Sequence, residues 1–433
     1  MASAPPSDGG SARPTGLFGG IGRALSHRMY RRYWTGNAVS TVGRWIFRTA
    51  LAWLVWEITH SAAWLGIVAF AEIFPMVLLS VFAGAVSDRF GPLRLIKAVQ
   101  LGICITATLF AALVLTGLIN IWIVMALAIV YGSLEALSTP PRVAYVHALV
   151  PKEDLSAAIA LGSAMFNASR VVGPAIAGAL LLAIDTGAVF AIAAVTFIQF
   201  YIVMFFLTDD HRGGEGKMSR ALLHDMWQGC VYVWNHPGIR FLMTVLTAIG
   251  LLIRPFMELL PGFSAEVFGR GSEGFAMLLS SIGAGAMVAS LWLAHRGRTE
   301  GLTRLVTWAL AIQGVALTLF AMTDIIWLAI PCLLVVGFFM LTAGVGSQTL
   351  IQNVCESRVR SRVLSLFILL SWGLPAIGAL VAGWLSEFFG LQLTIAVGAA
   401  ATLVIWLWAR RAGDRLAVAL ERVEGDGPPP AKA

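Results

Sequence analysis

Runs of about 20 apolar residues recur along the whole of this chain, with only short polar turns between them. An α-helix rises ~1.5 Å per residue, so each run is long enough to cross the ~30 Å hydrocarbon layer of a bilayer. In lipid a spanning segment must satisfy its own backbone hydrogen bonds, which leaves helices and closed barrels, and runs of this length favour helices. Twelve runs can be marked: 33–57, 62–87, 95–117, 120–147, 156–184, 187–207, 238–264, 273–295, 302–323, 325–351, 363–386 and 389–409. Of the 433 residues 58% are hydrophobic and 12% charged, too little polar surface to clothe a soluble core. The expected fold is an all-α membrane protein with twelve transmembrane helices, and the lipid bilayer is its first partner.

The cations orient it. Of 30 lysines and arginines, Arg44, Arg48, Arg170 and Arg254 sit deep in apolar runs, and only Arg270 falls in a turn on the side opposite the N-terminus. The others occupy the tails, alternate turns with their flanking helix ends, and a central polar interval, so both termini are expected in the cytoplasm. The net charge of +7 is thereby accounted for by membrane orientation, and no nucleic-acid partner is expected. Trp34, Trp64, Trp122, Trp327 and Trp408 near run ends suit interfacial belts.

The polar interval divides six runs from six. The expected organisation is a disordered tail over 1–28 without the apolar stretch of a signal peptide, a six-helix bundle over 29–207, a cytoplasmic linker over 208–237, a second six-helix bundle over 238–410, and a tail over 411–433. In the linker Leu222, Leu223, Met226, Trp227, Cys230, Val231 and Trp234 recur at helical spacing, the mark of an amphipathic surface helix. Ala177-Gly178-Ala-Leu180 returns 205 residues on as Ala382-Gly383-Trp-Leu385, so the two bundles are expected to be related by a pseudo-two-fold axis.

Ionised side chains within a span cost about 2.5–3.5 kcal/mol each on insertion scales, which makes each a candidate functional group. Asn37, Thr41, Arg44 and Arg48 follow one another by four, three and four residues and so share one helix face, a polar stripe suited to a wet cavity. Glu72 lies in the second run, Glu135 in the fourth, Asn167 and Arg170 in the fifth, and Arg254 with Glu258 in the seventh, spaced to pair along their helix. Two roles compete: mutual neutralisation that holds helices in register, and a cavity in which Glu72 or Glu135 carries a proton while arginines hold an anionic substrate or tune the carboxylates.

Between the second and third runs stands Gly84-Ala-Val-Ser-Asp88-Arg89-Phe-Gly91-Pro92-Leu-Arg94. This stretch resembles the loop between helices two and three of the major facilitator superfamily, which in that family acts as a cytoplasmic latch. Four more stretches narrow the resemblance: Gly36-Asn37-x-x-Ser40-x-x-Gly43, Pro141-Arg142-x-Ala144, Asn167-Ala168-x-Arg170-x-x-Gly173-Pro174, and Arg254-Pro255-x-x-Glu258-Leu259-Leu260-Pro261. Together they are similar to the bacterial transmembrane secretion effector branch, related to macrolide and enterobactin exporters, over residues 29–410. The resemblance implies a secondary transporter, an exporter in the bacterial inner membrane, with a small-molecule substrate and H+ as the simplest coupling ion. It implies gating roles for Gly84, Asp88, Arg89, Gly91 and Arg94, and a bias on transport direction from Gly173-Pro174; at the cytoplasmic end of the fourth run Arg142 is expected to reach Asp88 and, with Arg89 and Arg94, to close the inner mouth. Where relatives often carry an acid after Ser-x-x-Gly, this chain has Arg44, which shifts the expected substrate toward anions.

Other functions find little footing. No Gly-x-x-x-x-Gly-Lys-[Ser/Thr] occurs, since Gly216-Lys217 is followed by Met218, and no nucleophile or metal constellation is visible, so no enzyme, cofactor or metal is expected. A receptor would need a larger extramembrane domain. An importer or facilitator of a small anion would use the same architecture, because a fold does not set direction.

Overall fold

The computed structural model describes residues 19–208, 221–356 and 359–421, apart from the side chains at 19–21, 77, 80–85, 88, 221–226, 361, 418 and 419. Among these residues every element is helical: α1 (Gly19–Ser26), α2 (Arg28–Thr59), α3 (Ala62–Phe90), α4 (Pro92–Leu115), α5 (Ile121–Leu149), α6 (Lys152–Ala183), α7 (Thr186–Val203), α8 (Ala221–Asn235), α9 (Pro237–Ala248), α10 (Phe256–Gly262), α11 (Gly271–Arg296), α12 (Leu302–Met322), α13 (Ile326–Val354), α14 (Arg360–Phe389) and α15 (Leu391–Leu420). A helix covers each apolar run marked from the sequence. Ten helices are long and apolar enough to cross a membrane among the described residues. Helix α2 is as long but carries Arg44, Arg48 and Glu57, and α3 contributes the shorter apolar stretch Ala62–Met76.

The boundaries follow from local chemistry. Ser61 caps α3 by accepting from the Trp64 N–H at 3.3 Å, and Asn120 caps α5 by accepting from Trp122 and Ile123. Gly91, at φ 85°, makes the turn from α3 into α4, which opens on Pro92 where a missing N–H costs nothing. The seventh run is broken: π-helical turns at Ile249–Ile253 and Phe263–Val267 flank α10, with Pro255 and Pro261 removing backbone donors.

Two expected boundaries are corrected. Residues 19–26, assigned to a disordered tail, form α1, whose Ala24 is buried with Tyr30, Val150 and Ala158 against the start of α6. Arg23 and His27 meet the two oxygens of Asp154 at 3.0 and 2.9 Å, and that anchorage orders the segment. Residues 411–420, assigned to the second tail, continue α15. Its end is fixed by Glu421, whose carboxylate accepts from the Gly301 and Thr303 N–H groups at the start of α12. The rest of both tails and 209–220 of the linker lie outside the described residues. In the linker's described part, α8 packs Gly229 against Arg362 and Leu366 of α14 and turns Trp227 and Trp234 outward.

Packing depends on absent side chains. A Cβ on Gly132 of α5 would stand 1.8 Å from the Glu72 carbonyl oxygen of α3, and one on Gly337 of α13 would stand 2.1 Å from the Ile282 carbonyl of α11. These two glycines lie 205 residues apart. The same offset relates Gly178 of α6, against Ala276 of α11, to Gly383 of α14, against Ala62 of α3. These last two contacts join the residues before the linker to those after it, and small residues let the backbones touch.

Candidate functional site

The stripe on α2 is where the interior charges converge. Thr41 spends its hydroxyl on the Asn37 carbonyl one turn back, at 2.7 Å. Arg44 reaches across to α5, its Nη1 3.2 Å from Glu135. One turn further, Arg48 joins two carboxylates from different parts of the chain: its Nη2 donates to Glu258 of α10 at 2.8 Å, and its Nε lies 3.7 Å from Glu72 of α3. Each of these side chains keeps between 13% and 22% of its surface exposed, inside the body of the protein. Arg44, Arg48, Glu72 and Glu135 stand on one wall, partly reached by solvent.

That wall belongs to a chamber of about 670 Å³ lined by Asn37, Thr41, Arg44, Arg48, Glu72 and Glu135, among others. The chamber extends past Arg142 to Val146, His147 and Ile159, and so reaches the face where α2 begins, α5 ends and α6 begins. The opposite face is held shut. There Glu387, at the end of α14, accepts from the Ser61 hydroxyl at 2.6 Å and from the Ala63 N–H at 3.0 Å. Just below, the Gly66 and Gly383 contacts press α3 onto α14.

A smaller recess of about 90 Å³ adjoins the chamber and shares Trp45, Arg48, Ile73, Asn167 and Trp372 with it. It adds Arg170 from α6 and Arg254 from the broken seventh run. Arg254 does not pair along its helix with Glu258, as the spacing of four suggests. The π-turn before Arg254 and Pro255 after it rotate the two apart, so Arg254 donates to the Ser371 carbonyl at 2.8 Å and lies over the Trp372 ring. Asn167 bonds the Ser163 carbonyl of its own helix.

The expected gating residues are spread over the open end and one packing seam. Arg142, expected to reach Asp88, donates to Gln100 of α4 at 2.9 Å and lies against the Phe200 ring. The Asp88 side chain and that part of the helix holding Gly84 lie outside the described side chains; Arg89 and Arg94 are exposed beside the Gly91 turn. Gly173, next to Pro174, lets α6 touch α2, since a Cβ there would stand 2.4 Å from Trp45 Cβ. Sequence reasoning missed Gln100, Trp372 and Glu387. A lone amide within an apolar run flags Gln100, whereas Glu387 sits one residue past a run and reads as an ordinary turn acid.

Comparison with known proteins bears on the family and the fold. The family model of transmembrane secretion effectors matches residues 23–417. The chain is similar to the staphyloferrin A transporter of Staphylococcus aureus, 26% identical over 87% of this chain and 94% of that one. It is also similar to the multidrug efflux pump Tap of Mycolicibacterium fortuitum, 24% identical over 83% and 88% respectively. Among solved structures, a bacterial homologue of the human lysosomal transporter Spinster superposes with a TM-score of 0.66 at 14% identity, covering 95% of this chain and all of that one. This last likeness is one of fold.

Proposed function

Because the chain belongs to the transmembrane secretion effector family of the major facilitator superfamily, we propose that it is a secondary active exporter of a small amphiphilic or anionic solute (a drug, siderophore or metabolite) driven by protons. The family is one of transporters, not enzymes. In this reading two six-helix bundles, 29–207 and 238–410, span a bacterial inner membrane as twelve helices with both termini cytoplasmic. They rock about the chamber, exposing it to one side at a time. The observation that carries the proposal is the cluster of Arg44, Arg48, Glu72 and Glu135 on the wall of a chamber that reaches one face and is closed at the other, with Glu258 bonded to Arg48 from the adjoining recess. Asn37, Thr41, Asn167, Arg170 and Arg254 complete the cavity. Glu72 and Glu135, each beside an arginine, are the candidate proton carriers.

The test is counterflow in proteoliposomes with amphiphilic anions and cations, with and without a pH gradient. Uptake of a labelled anion into vesicles acid inside is expected to exceed that in symmetric buffer severalfold. Insensitivity to every pH gradient would remove the proton from the scheme.

Two ends of the molecule are expected to act oppositely. Gly84, Asp88, Arg89, Gly91, Arg94 and Arg142 form the inner gate, which holds the outward-facing state, with Gly173-Pro174 as the kinked seam on which it turns. Ser61 and Glu387 form the outer clasp, which holds the inward-facing state. Glu387→Ala should raise alkylation of a cysteine placed at the outer mouth by about three- to tenfold, from the loss of hydrogen bonds to a charged acceptor. Asp88→Asn should lower it. Movement of both variants in the same direction would reject this assignment.

A further inference from the structure

Counting the interior charges exposes an imbalance. Five arginines (Arg44, Arg48, Arg142, Arg170 and Arg254) line the chamber and recess against three glutamates. Glu135 is taken by Arg44, while Glu72 and Glu258 share Arg48. Arg142 is bound to a neutral amide, and Arg254 to a neutral carbonyl and a ring face. Among the described residues Arg170 has no hydrogen-bond or ion-pair partner, and Arg254 Nε is buried without one.

Like charges held close in a recess walled by Phe275, Ile282, Leu341 and Trp372 repel with little water to screen them. A guanidinium presents a planar fork of donors that suits a carboxylate, phosphate or sulfonate oxygen pair. We propose that the recess between Arg170 and Arg254 is the seat of a single anionic head group, and that the apolar body attached to it lies in the larger chamber against Trp45 and Trp372. This rests on the transporter reading and makes it specific: the substrate is an apolar organic acid, recognised by two arginines from opposite sides of the central linker. Because Arg170 rides on α6 and Arg254 on the broken seventh run, the anion ties the two halves of the chain together as it binds.

The experiment measures binding at equilibrium, without any gradient, by titration calorimetry of the full chain in phosphatidylcholine nanodiscs. The probes share one ring system: 2-naphthoate, the neutral 2-naphthylmethanol, and the cationic (2-naphthylmethyl)trimethylammonium. The acid is expected to bind at least tenfold more tightly than either of the others. Arg170→Gln and Arg254→Gln should each remove that preference while leaving the alcohol's affinity within twofold, which also reports that the variants are folded. Arg170→Lys should keep part of it. Equal binding of the three probes, absence of acid binding, or an acid preference that survives both glutamine variants would overturn the proposal. Displacement of 2-naphthoate by added phosphatidylglycerol would assign the anion site to a lipid head group; no displacement would assign it to a soluble acid. Transport is read separately by counterflow, so acid-selective binding without counterflow would sink the exporter reading and leave the anion site standing.

Discussion

Arg48→Gln is expected to bring counterflow to the background of empty liposomes while the protein still inserts. Arg48 is the only described cation within ion-pair distance of Glu72 or Glu258, and these carboxylates come from α3 and from the segment after the linker. Removing one partner of a buried ion pair costs about 3–5 kcal/mol, largely because the other charge is left unpaired. Here the side chains keep 13–22% of their surface exposed, so the cost is smaller, but Glu72 and Glu258 lose the cation that ties them together. Without that tie the segments before and after the linker lose their link beside the chamber. Arg48→Lys, a point charge in place of a fork, should satisfy one carboxylate and retain a fraction of the rate. Wild-type counterflow by Arg48→Gln would show that the triad is structural filling.

Gly132→Ala should be the most damaging single methyl in the molecule. Its Cβ would stand 1.8 Å from the Glu72 carbonyl, a backbone atom that has no rotamer to escape into. The helices must separate, at a cost of about 2–4 kcal/mol by the usual scale for overpacking and lost contacts. The detergent melting temperature should fall by roughly 2–4 °C. Gly337→Ala meets the Ile282 carbonyl at 2.1 Å and should cost about as much stability, but no ionised residue sits at 282. Only Gly132→Ala should therefore also impair transport in the molecules that remain folded, by displacing Glu72. Gly344→Ala, with nothing within 4 Å, is the control and should be silent.

Which helices form was legible because the signal is periodic and long: twenty apolar residues admit one reading, and a helix lies over each marked run. The polar face of α2 was legible for the same reason, since spacing along one helix is all that a sequence states directly. What spacing omits is the neighbour. Arg254 and Glu258 looked like partners because they are four apart, yet the π-turn at Ile249–Ile253 turns them to different helices, and Glu258 finds Arg48 from 210 residues away. Helix α1 escaped notice because its burial rests on Ala24 and a few contacts too short to make a periodic pattern. The Glu387 clasp escaped because acids at helix ends are common, and only the fold brings this one to Ser61.

The paired contacts of Gly178 on Ala276 and Gly383 on Ala62 have a mechanical corollary. Surfaces of glycine and alanine have no long side chains to mesh, so neither seam offers the notches that hold ridged helices at fixed angles. In the rocking motion proposed above, these contacts act as smooth bearings, on which one block rolls without climbing over a tooth. Resistance to that motion then falls on polar catches such as Ser61 with Glu387, where single substitutions set the tempo of the cycle.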